Sequence, residues 1–202
     1  MTNVYIKVLE EGRMPEYQSM HAAGCDVYAA KDEVLLPGQT KVVPLDFVIA
    51  MDPDVEAQIR PRSGLSLKTD IRLANCVGTV DSDYRDIVGV ILQNTYDPST
   101  LAYRIVSDNR VLVDLRENYT RMTLGEYLKT NGVTVMEHEI PNLSDSCYVD
   151  EAGNPYGTVY IKKGERIAQI VFSKVEQASF VVHEDPTTIG HNRGGGFGHT
   201  GK

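Results

Sequence analysis

The stretch Asn75-Cys76-Val77-Gly78-Thr79-Val80-Asp81-Ser82-Asp83-Tyr84-Arg85, with the apolar run Ile87 to Gln93 just beyond it, decides how this chain is read. A short β-type run ends in an acidic turn and a second begins almost at once. Asp and Ser in such a turn bond their own backbone, so the plain reading is an Asx-rich hairpin with a solvated face. The chemical reading adds a function. A carboxylate held at a strand start can orient and deprotonate a water, and the neighbouring aromatic ring makes a flat wall for a sugar or base.

Outward from this point, similar runs recur between Gly, Pro, Asp and Asn: Val4 to Leu9, Val34 to Leu36, Lys41 to Ala50, Val55 to Pro61, Thr158 to Lys162 and Arg166 to Lys174. They predict a mainly β chain, a barrel or sandwich. Pro37-Gly38 and Lys162-Lys163-Gly164 mark turns, with antiparallel hairpins expected around each. Between Thr95 and Gly157 the composition changes. This segment holds six of the eleven tyrosines, and its acids outnumber its bases. Thr123-Leu124-Gly125-Glu126 predicts a capping box opening a short helix that stops at Asn131-Gly132. Ala102 to Val106 and Val111 to Leu115 flank a turn at Ser107-Asp108-Asn109, and Val133 to Ile140 alternates as a half-buried strand would. A small α+β insert at 95–157 therefore interrupts a core made of 1–94 and 158–202. The glycine-rich arm at 191–202 is too polar to bury a core and is expected to be mobile.

With 202 residues, 42% of them hydrophobic, the chain can bury a sizeable core. Lys+Arg 20 against Asp+Glu 28 leaves a formal charge of -8, which disfavours direct binding to nucleic acid. No apolar run approaches the roughly 20 residues of a membrane span, and Met1 to Val8 lacks the regions of a signal peptide, so a cytoplasmic protein is expected. Cys25, Cys76 and Cys147 are widely spaced without a CxxC pair, and read as reduced thiols.

Two further segments suit phosphate. Pro61-Arg62-Ser63-Gly64-Leu65-Ser66 sets a guanidinium beside hydroxyls and a glycine that frees backbone N–H groups, although a strand-to-helix cap would read the same way. The arm offers N–H groups, Arg193 and Thr200 to phosphates, with Phe197 as a stacking plane.

Taken in order, five segments resemble the motifs of the homotrimeric dUTPase family: Ala23-Gly24-Cys25-Asp26-Val27-Tyr28-Ala29, Pro61 to Ser66, Asn75 to Arg85, Gly164-Glu165-Arg166-Ile167-Ala168-Gln169, and Arg193 through Gly201. The resemblance implies a dUTPase-type β jelly-roll or barrel, a homotrimer with active sites at subunit interfaces, and hydrolysis of dUTP to dUMP and diphosphate by water attack on the α-phosphorus. It implies Asp81 as the general base and Tyr84 as the residue packed on deoxyribose. Asn75, Val77 and Gly78 would read uracil, and Phe197 would cap it. Arg62, Ser63, Gln169, Arg193 and Thr200 would hold the triphosphate, Gly64, Gly198 and His199 would also contact substrate, and Asp26, Asp83 and Arg166 would support the site. Mg²⁺ would be held by the substrate's phosphates and water, with no protein ligand.

The insert makes the chain similar to phage-type members. That likeness implies a second role, binding a repressor protein of a mobile genetic element, in the cytoplasm of a bacterial host. The alternative is a protein that is mainly a nucleotide-controlled, protein-binding regulator on the same fold. A dCTP deaminase on the related fold is disfavoured, because the Asp81-Ser82-Asp83-Tyr84 turn suits attack on the phosphate chain.

Overall fold

In Phe47-Val48-Ile49-Ala50-Met51 every second side chain is buried, and Val55 to Arg60 and Gly89 to Asn94 repeat the pattern. That period of two is what turns these runs into strands with one face on a core. The computed structural model describes residues 2–135, 140, 142–192 and 194. Its strands are β1 (Val4–Val8), β2 (Cys25–Tyr28), β3 (Glu33–Leu35), β4 (Thr40–Pro44), β5 (Phe47–Met51), β6 (Val55–Arg60), β7 (Ile71–Leu73), β8 (Gly78–Val80), β9 (Gly89–Asn94), β10 (Thr120–Thr123), β11 (Ser146–Val149), β12 (Val159–Ile161) and β13 (Arg166–Lys174). The helices are α1 (Ser63–Lys68), α2 (Leu101–Ser107), α3 (Arg110–Asn118) and α4 (Leu124–Thr130).

The sheets follow the order β2-β13-β6-β8 and β4-β9-β7, with the pairs β1-β5, β12-β3 and β10-β11 beside them. Every pairing is antiparallel. This is a mainly β, jelly-roll-like architecture in which, among the described residues, no sheet closes into a barrel. Its core gathers Val27, Leu35, Leu45, Phe47, Leu92 and Ile170 with their neighbours from all the larger sheets. Among the described residues no helix is long and apolar enough to cross a membrane.

The two expected turns are present, with Gly38 and Gly164 at positive φ. The strands beside them, however, do not pair with each other. β3 pairs with β12 and β4 with β9, while β13 leaves β12 for β2 and β6. Each turn is a corner where the chain changes sheet, which a local turn signal cannot distinguish from a hairpin.

The 95–157 segment is α+β, as expected, but with different parts. Thr123 and Glu126 form the capping box and open α4. The runs Ala102 to Val106 and Val111 to Leu115 are helical, in α2 and α3; each is too short for its periodicity to separate helix from strand. Val133 to Val135 are not in a strand, and 136–139 lie outside the described residues.

One buried residue fastens both ends of this segment. Asn94 donates from Nδ2 to the carbonyls of Leu35 (3.0 Å) and Gly157 (2.8 Å) and accepts from the Tyr96 amide (3.0 Å) at Oδ1. Next to it, Tyr96, Tyr156 and Tyr119 pack edge to face, with centroids 5.7 and 5.0 Å apart. Gly157 has φ +89°, and a Cβ there would lie 2.2 Å from Cδ1 of Tyr96.

Two expectations follow from this junction. Gly157→Ala should destabilise the protein by about 3 kcal/mol in denaturant unfolding, because the methyl meets a packed ring and the backbone is left-handed. Burial, reinforced by the neighbouring tyrosine and carboxylates, pushes Tyr96 up to about 12, and burial with Asp114 and Asp150 nearby pushes Tyr119 up to about 12. These hydroxyls are neutral when protonated and their values are raised on folding. Their contribution is therefore complete below the ordinary tyrosine value of about 10 and is lost as the pH rises through about 12. Ultraviolet titration should show tyrosinate formation that extends well above pH 10, with part of that late absorbance absent in Tyr96→Phe; ionisation of every tyrosine near pH 10 would contradict this packing.

Candidate active site

Strands β8 and β9 run out of the acidic turn into different sheets, β8 beside β6 and β9 between β4 and β7. The hairpin expected at this turn is thus opened, and the gap between its arms is a cleft of about 200 Å³. Ile59, Val80, Val88 and Ile91 give it apolar walls, and Asn75, Gly78, Asp81 and Tyr84 line it with them. Asp81 follows the last residue of β8, so the carboxylate stands at a strand end rather than a strand start, and it is exposed. Its carbonyl accepts from the Tyr84 amide (3.1 Å), and the Tyr84 hydroxyl donates to the Ile87 carbonyl (3.1 Å), which closes the turn and leaves the ring partly exposed. A Cβ on Gly78 would sit 3.0 Å from Nδ2 of Asn75, so the absence of a side chain lets Asn75 lie over the strand.

A second cleft is built around Asp26, which is only 5% exposed. In the ladder Gln169 faces Asp26 and Arg166 faces Tyr28, and a bulge lies between Arg166 and Ala168. Strict alternation would send residues 166 and 169 to opposite faces. The extra residue of the bulge puts both on the face of Asp26 and Tyr28. Arg166 donates from Nη1 to Oδ2 of Asp26 (3.1 Å). Arg62 reaches the same carboxylate from the β6–α1 corner, through Nε to Oδ1 (2.9 Å) and Nη2 to Oδ2 (3.4 Å), and its Nη1 donates to the Arg166 carbonyl (3.1 Å). Two guanidinium groups on one carboxylate leave net positive charge at a cleft that Gln169 and Gln18 also line. Such a site suits an anion.

Eight of the sequence-predicted residues fall into two groups. Asn75, Gly78, Asp81 and Tyr84 meet in the first cleft, and Asp26, Arg62, Arg166 and Gln169 in the second. Ser63 and Gly64 are exposed on the first turn of α1 and Val77 is exposed beside Asn75, while Asp83 is exposed on the acidic turn; none of the four lines either cleft. Arg193, Phe197, Gly198, His199 and Thr200 lie outside the described residues. Gln18 was missed. It accepts from Arg166 (3.3 Å), yet a lone amide in a loop carries no sequence signal. Among the described residues no three His, Cys, Asp or Glu side chains are placed to hold a metal ion.

Comparison with known proteins bears on both clefts. The family model described as dUTPase matches residues 10–101 and 153–201. The deoxyuridine 5'-triphosphate nucleotidohydrolase of Chlamydia pneumoniae is 31% identical over 200 residues, 98% of this chain and 97% of that protein. The Rickettsia felis protein of the same name is 45% identical over 98 residues, 46% of this chain and 66% of its own length, so the match spans just under two thirds of that relative. Among solved structures, a mutant dUTPase of Staphylococcus bacteriophage 80alpha with dUpNHpp aligns with TM-score 0.68 at 20% identity, over 99% of both chains. The dUTPase from phage phi11 of S. aureus, described as visualising a species-specific insert, aligns with TM-score 0.63 at 20% identity over 91% of this chain and 97% of that one. The fold is theirs, and the interrupted family match, broken across the segment that Asn94 fastens, combines with the full-length bacterial relative to show that the chain belongs to the dUTPase family.

Proposed function

We propose that this protein hydrolyses dUTP to dUMP and diphosphate. The observation that carries the reading is the cleft between β8 and β9, where one exposed carboxylate, Asp81, stands beside the Tyr84 ring, Asn75 and Gly78. Tyr84 packs against the deoxyribose, and Asn75 with the backbone at Val77 and Gly78 reads the base. Asp81 takes a proton from a water, whose oxygen forms the new bond to the α-phosphorus as the bond to the diphosphate oxygen breaks. Arg62, which Asp26 already holds in position, offers its remaining N–H groups to the phosphates together with Gln169, Ser63 and Gly64. Arg193, Gly198, His199 and Thr200 of the arm complete the phosphate contacts, and Phe197 stacks on uracil. Bound Mg²⁺ would supply charge neutralisation on the phosphates, and no residue of this chain is assigned as its ligand. A structural Mg(II) ion is described for a mutant of the phage phi11 dUTPase.

The working form in this reading is a homotrimer in the bacterial cytoplasm, with each site assembled between subunits. In favour of shared sites, the two clefts of one chain have no lining residue in common. In favour of a covering partner, Phe180, Val181 and Val182 are 96%, 83% and 102% exposed on the extended segment after β13.

Diphosphate release should be fast from dUTP and much slower from dTTP, dCTP and UTP. Asp81→Asn should keep the fold and nucleotide binding while lowering turnover by about 10² to 10⁴-fold, the usual worth of a positioned base. Near-normal turnover in that variant would remove Asp81 from the mechanism.

The 95–157 segment is the docking unit for a repressor-type protein in this reading. Tyr96, Tyr119 and Tyr156 are used internally, so the docking face is the outer side of α2, where Tyr103 and Val106, one turn apart, are 77% and 88% exposed. The phage 80alpha dUTPase is described as controlling transfer of virulence genes. Tyr103→Ala combined with Val106→Asp should weaken repressor binding in titration at least tenfold while dUTP hydrolysis is retained, an effect on the scale of a hot-spot residue. Unchanged affinity would take docking away from this face.

A further inference from the structure

Helix α1 carries Ser63 and Gly64, yet none of its side chains is fully buried, and only Leu65 packs partly against the core. A six-residue helix with so little burial cannot fix its own position. Its placement has to come from its two flanks. The leading flank is Arg62, tied to Asp26. The trailing flank is Thr69-Asp70, where the Thr69 hydroxyl and amide both donate to the Leu65 carbonyl and close the helix (2.8 and 3.0 Å).

Asp70 runs directly into buried Ile71 at the start of β7, and its own polar groups are held from the other side of Asn94. Its carbonyl accepts from the amide and the hydroxyl of Thr95 (2.9 and 2.8 Å). Its carboxylate accepts from Arg104 of α2 in a two-pronged pair, Nη1 to Oδ2 (3.0 Å) and Nη2 to Oδ1 (2.8 Å). Arg104 is itself pinned. Its Nε donates to the Thr100 hydroxyl (3.2 Å), and its guanidinium lies 4.8 Å over the Tyr96 ring at the base of the tyrosine cluster. Both partners are partly shielded, with side chains 40% and 27% exposed, and two parallel bonds fix the orientation of the carboxylate as well as its distance.

We infer that Arg104 is a positioning residue for substrate binding: through Asp70 it holds the trailing end of α1, so that the 95–157 segment sets the placement of the phosphate-contacting turn. The inference rests on the reading of Ser63 and Gly64 as phosphate contacts. It assigns the segment a part in hydrolysis that is separate from any docking role, carried by a different face of α2 from Tyr103 and Val106.

The test compares Arg104→Gln, Asp70→Asn and the double variant by steady-state kinetics on dUTP and by hydrogen exchange of the amides from 64 to 69. Each single variant is expected to raise KM about fivefold with kcat within about twofold, as for loss of a partly shielded ion pair that acts on binding. Exchange should quicken in α1 and remain unchanged in β6 and β13. The double variant should be no worse than either single one, since both remove the same contact. Unchanged KM together with unchanged exchange in α1 would overturn the inference, as would an equal rise of exchange throughout the protein, which signals general destabilisation. Should the unaltered protein prove inactive on dUTP, the functional reading fails on that assay alone, and the exchange at α1 still decides whether Arg104 holds the helix.

Discussion

The buried carboxylate of Asp26 constrains everything around the candidate phosphate cleft. A charge with this little exposure is tolerated only when it is paired and hydrogen-bonded. Arg62 and Arg166 supply that pairing from two different elements. Their obligation to Asp26 fixes the corner between β6 and α1, and it gives the bulge at Arg166 its purpose, since without the extra residue the guanidinium would leave on the wrong face. Local electrostatics and sheet register are thus one constraint. The basic groups that face the cleft are positioned before any anion arrives, which reduces the reorganisation that binding would otherwise require.

Much of this was legible in the sequence, for reasons that can be named. Strands with one buried face declare themselves by alternation, as Phe47 to Met51 does, and the Thr123–Glu126 capping box is a purely local signal. What escaped was non-local. A Pro-Gly or Lys-Lys-Gly turn is identical whether the next strand returns to its neighbour or crosses to another sheet, so the corners at Gly38 and Gly164 looked like hairpins. The five-residue apolar runs in α2 and α3 carry less than two helical turns of period. At the site, motif resemblance named Asp26 and Arg166 without their task, because that task depends on a bulge that no residue type announces.

The tyrosine-rich composition of the 95–157 segment illustrates how one sequence property can serve two purposes. Tyr96, Tyr119 and Tyr156 turn inward and form an aromatic cluster whose partial or full burial pushes their hydroxyls up, whereas Tyr103 faces solvent. Composition counts them alike. Only the fold separates rings that pack on one another within the segment from a ring that is free to meet another molecule.

Asn94 has a consequence that reaches beyond stability. Its one amide group reaches Tyr96, the second residue of the 95–157 segment, and Gly157, its last. The chain therefore leaves and re-enters the β framework at a single point, and to the strands on either side a long excursion is equivalent to a tight loop, since closure entropy grows only slowly with length. Such a point is a graft site. Folded units of different size can be seated there while the strand pairings of the framework below stay as they are.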